Sequence, residues 1–80
     1  MKLYFKNSQG KERLIAECDS AKDVGREIQK FLDEHKYKSY YSRIWGNENG
    51  ATIDVGSHSE FFKVKGISYS KYIQSLNNEE

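Results

Sequence analysis

Between Ser20 and His35 the apolar side chains fall at Ala21, Val24, Ile28, Phe31 and Leu32, and from Val24 the steps are four, seven and eight, with His35 at eleven. That is the stripe of an amphipathic helix with one face to bury. Ser20 suits the N-cap, with Asp23 three residues on and well placed in the positive end of the helix dipole. Gly25 inside this segment costs about 1 kcal/mol relative to Ala, and is expected to allow close approach to a sheet. The sheet is expected because the residues on both sides of the helix change to a period of two.

Lys2 to Lys6 alternates polar and apolar, with Leu3 and Phe5 on one face and Tyr4 on the other. The turn cluster Asn7-Ser8-Gln9-Gly10-Lys11 leads to a second run, Arg13 to Cys18, in which alternation puts Leu14, Ala16 and Cys18 toward the core. After the helix, "KSYYSRIW" is aromatic and β-branched. It places Tyr41, Arg43 and Trp45 on one face and Tyr40, Ser42 and Ile44 on the other. Asn49-Gly50 signals a hairpin through positive φ, and Ala51, Ile53 and Val55 alternate inward after it. Phe61 to Lys65 reads as a fifth strand with Phe62 and Val64 inward and Lys63 outward. Tyr69, Tyr72, Ile73 and Leu76 stand at helical spacing within Ile67 to Leu76. The expected fold is α+β: an antiparallel sheet in ββαβββ order, one amphipathic helix packed on one face and a short C-terminal helix. Residues 1–76 form one domain and residues 77–80 a frayed polar tail.

Composition narrows the function classes. Thirteen basic and twelve acidic residues leave a net charge of +1, so any attraction to nucleic acid or membrane must come from a local patch. The lone Cys18 excludes an intramolecular disulfide and favours a reducing compartment, the cytoplasm. "MKLYFKNSQG" has no sustained apolar run, so neither a signal peptide nor a membrane span is expected at the N-terminus. There is no P-loop, dinucleotide fingerprint, CxxC pair, HExxH or nucleophile elbow, so no cofactor and no enzyme activity are expected.

Two stretches carry candidate sites. "DVGSHSEFF", residues 54 to 62, sets Asp54, His58 and Glu60 among serines. Neighbours on an extended chain point in alternate directions, which argues against a catalytic triad. Three ligands at this spacing without a second cluster are a weak metal signal. Turn chemistry accounts for Gly56 to Ser59 by itself, leaving His58 and Glu60 as residues that a partner could recruit. "HKYKSYYSRIW", residues 35 to 45, interleaves Lys36, Lys38 and Arg43 with Tyr37, Tyr40, Tyr41 and Trp45. Tyr, Trp and Arg dominate protein hot spots, so Tyr41, Arg43 and Trp45 are the expected partner contacts. Lys36, Lys38 and Arg43 would serve if the ligand carried phosphate.

The opening "MKLYFKNSQGKERLIAECDS", the stretch "YYSRIW" and "DVGSHSEFF" together resemble a group of small accessory proteins encoded by phages and prophages of Gram-positive bacteria, over residues 1 to about 66. The resemblance carries over no functional residue. It implies a short, non-enzymatic protein of the host bacterial cytoplasm that acts by stoichiometric binding, inhibiting or modulating a host defence or replication protein. A nucleic-acid or nucleotide-signal binder is the alternative, and a virion or assembly component that forms a homo-oligomer is the third.

Overall fold

A computed structural model describes residues 1–35, 43–56 and 59–78, and the fold is α+β. The elements in chain order are β1 (Lys2–Lys6), β2 (Glu12–Glu17), α1 (Ala21–Glu34), β3 (Arg43–Asn47), β4 (Gly50–Asp54), β5 (Phe61–Lys65) and α2 (Tyr69–Asn78). One five-stranded sheet has the order β2-β1-β5-β4-β3, and each neighbouring pair is antiparallel. The β1–β2 hairpin and the β3–β4–β5 meander therefore meet in the middle of the sheet, where β1 pairs β5 from Lys2↔Lys65 to Lys6↔Phe61.

The helix forms where its stripe places it. Ser20 caps it, its Oγ accepting the Asp23 N–H at 3.2 Å, and Ala21, Val24, Ile28, Phe31 and Leu32 are all buried. They pack on Leu3, Ala51, Ile53, Phe62 and Val64 from the sheet. Each large side chain buried in this way contributes roughly 1.5–3 kcal/mol. Phe31 stands against Phe5 with ring centroids 4.7 Å apart and edge-on to Phe62 at 5.4 Å. α2 closes the same layer: Tyr72 is buried, and Ser75 Oγ accepts the Ala21 N–H at 3.4 Å.

Three expectations need correction. Leu14 is 49% exposed, not inward. Leu3 pairs Ala16 while Tyr4 pairs Leu14, so Ile15 is an extra residue in β2, and this bulge turns Leu14 to the face that Tyr4 occupies. The second hairpin turns over Glu48-Asn49, because Asn47 pairs Gly50 and Gly50 opens β4. Gly50 is not among the glycines with positive φ; a β-carbon there would collide with the Val64 carbonyl oxygen, so close strand approach is what requires glycine. Gly25 is exposed with nothing within 4 Å of a built β-carbon, so it serves no close approach. α2 runs from Tyr69 through Asn78.

Candidate binding surface

Both helices lie against one face of the sheet, and no described element covers the other. The side chains of that outer face follow from the registers. Tyr4 and Lys6 of β1 alternate with buried Leu3, Thr52 of β4 with buried Ala51 and Ile53, and Phe61, Lys63 and Lys65 of β5 with buried Phe62 and Val64. Glu12 and Leu14 of β2 pair Lys6 and Tyr4, while Arg43 and Trp45 of β3 pair Asp54 and Thr52. The result is an aromatic and aliphatic field set among charges. Trp45 is 45% exposed and meets the Phe61 ring edge-on at 6.1 Å. Tyr4 lies under the Lys65 ammonium, 4.8 Å from its ring centroid, a cation–π contact.

The acids of this face are paired. Lys65 Nζ donates to Glu12 Oε1, which holds the Glu12 carboxyl below its usual range and raises the lysine in turn. Lys2 lies 3.9 Å from Glu17. Asp54 is buried, and its two oxygens have distinct tasks: Oδ2 accepts Arg43 Nη2 at 2.9 Å, and Oδ1 accepts the Gly56 N–H at 2.9 Å. The second bond closes the turn at Gly56, where φ is 101°. Asp54 is thus the anchor of the loop that leaves β4, and Arg43 is half engaged in holding it.

Among the expected site residues, Arg43 and Trp45 lie together on the outer face. Glu60 lines a different cleft, of ≈ 500 Å³, with Phe5, Arg13, Phe31 and His35. Lys36, Lys38, Tyr41 and His58 lie outside the described residues. Tyr4, Leu14, Phe61 and Lys63 belong to the outer face but were not singled out from the sequence. Alternation alone put Tyr4 and Lys63 outward, and only the pairing of β1 with β5 brings them side by side, as the pair Tyr4↔Lys63. Cys18 is buried, which pushes its thiol up. Among the described residues no group of three His, Cys, Asp or Glu side chains is placed to hold a metal ion, and no helix is long and apolar enough to cross a membrane. No protein-family model, curated protein or solved structure matches the chain.

Proposed function

We propose that the protein acts by stoichiometric binding rather than catalysis, with the outer face of its sheet docked on a host protein of a defence or replication system. The observation that carries this reading is the half-exposure of Trp45 and Leu14 on a sheet face that no described element covers. An antiparallel sheet can leave one face in water, but such a face is ordinarily polar. Here Tyr4, Leu14, Phe61 and Trp45 interrupt the charges, and a protein partner would desolvate them as it would any buried hot spot, with the charges around them forming a polar rim. The accessory proteins that the chain resembles supply the class of partner. Arg43 contributes less than its type suggests, because its guanidinium is already committed to Asp54.

The test is capture from nuclease-treated host lysate with the tagged protein, run beside Trp45→Ala and Leu14→Ser variants whose circular dichroism matches the parent. One host protein enriched at a fixed ratio by the parent and lost by both variants supports the reading. Enrichment that survives both substitutions, or capture of nothing but further copies of the chain, overturns it.

A further inference from the structure

A groove of ≈ 350 Å³ crosses β4 on the outer face near the second hairpin. Its floor is Thr52 and the side-chain-free Gly50; one wall is Trp45 and Asn47 from β3, the other Lys63 and Lys65 from β5. The volume is that of a small-ligand site. Trp45 pairs Thr52 and Thr52 pairs Lys63, so these three side chains form one row across three strands. With strands about 4.8 Å apart, the backbone of the row spans roughly 10 Å from Trp45 to Lys63. Its chemistry is ordered: a half-exposed aromatic, then a hydroxyl, then an ammonium. Among the described residues Lys63 has no hydrogen bond or ion pair, unlike Lys65, which is held by Glu12. The same order, planar ring, hydroxylated sugar, anion, is that of a nucleoside phosphate.

We propose that this groove binds a nucleoside phosphate unit, stacking its base on Trp45 and holding its phosphate at Lys63. Base stacking on an exposed aromatic beside a lysine is how sequence-tolerant single-strand binding is built. The unit can come from a strand or from a free nucleotide, and both present the same groups to the row. The proposal goes beyond the docking of a host protein, which rests on the breadth of the face and its Leu14 side as well as on Trp45.

Trp45 is the only tryptophan of the chain, so intrinsic fluorescence reads this groove directly. The experiment is a titration of the full chain with a single-stranded oligodeoxythymidine, with adenosine monophosphate and with inorganic phosphate, at low and at moderate salt. Stacking predicts saturable quenching by one or both nucleotide probes and none by phosphate. Affinity for the oligomer should fall with salt, as counterion release requires, and affinity for the mononucleotide should fall through screening of the ammonium–phosphate attraction. Lys63→Ala should weaken binding about tenfold, the scale of one charge-assisted contact. Lys63→Arg should restore it, and Lys30→Ala, which removes the same charge from exposed α1, should leave it unchanged. Quenching by the oligomer alone assigns the groove to a strand; equal affinity for the mononucleotide assigns it to a free nucleotide. No saturable quenching by either nucleotide probe overturns the proposal, as does an effect of Lys30→Ala equal to that of Lys63→Ala. The lysate capture is scored separately through Leu14→Ser, so a silent groove leaves the protein-docking reading standing.

Discussion

Asp54 shows how one side chain can look like chemistry and act as architecture. Its carboxylate is buried, and it accepts from Arg43 and from the Gly56 backbone. Replacing it with Ala removes the acceptor for the Gly56 N–H and the counter-charge of Arg43, and should cost about 1–3 kcal/mol in urea unfolding. Arg43→Ala should lower stability as well, because it removes the guanidinium that a buried carboxylate accepts from. A loss of partner binding in that variant therefore has to be read against its melting temperature, and so does one in Trp45→Ala, which gives up half-buried area and the edge-on contact with Phe61. The Glu12–Lys65 pair makes a separate forecast. Because the folded Glu12 carboxyl titrates below its usual range, its contribution is present above that range and is lost as pH falls through the lowered value. For a pair so near the surface this is worth about 0–1 kcal/mol. Glu12→Gln should flatten the acid limb of stability against pH by that amount. Cys18, buried and with its thiol pushed up, should react with a thiol reagent only as fast as the chain opens.

Each element was legible to the extent that its pattern is local. The stripe of α1 and its Ser20 cap depend on residues within a few turns of one another, and both stand in the structure as the sequence places them. The same local rules fail at Ile15, because a bulge is a property of two strands together, and one extra residue reverses the face of everything before it. Strict alternation through β2 consequently buried Leu14 on paper. The second hairpin differs for a similar reason: Asn49-Gly50 is a strong turn signal, but Asn47 Oδ1 accepts the Asn49 N–H at 2.8 Å and fixes the turn one step earlier. Gly25 gives the element-scale forecast. With nothing near its absent side chain, Gly25→Ala should stabilise the protein by about 1 kcal/mol, visible as a higher urea midpoint at unchanged slope.

At the scale of the molecule, the candidate surface was legible only in pieces. Arg43 and Trp45 share a face by simple alternation, whereas the company they keep depends on β5 lying between β4 and β1, a pairing that no spacing in the chain announces. That central seam has a kinetic meaning. Lys2 meets Lys65 across it, so the sheet closes only when segments from opposite ends of the chain come together. Folding dominated by such distant contacts is slow, in the range of milliseconds to seconds for small sheets. During synthesis the β1–β2 hairpin must wait for β5 to emerge, its inner edge open even after α1 is available to cover Leu3 and Phe5. Over that interval the nascent chain is an unfinished sheet, ready to accept a strand from whatever polypeptide is nearest.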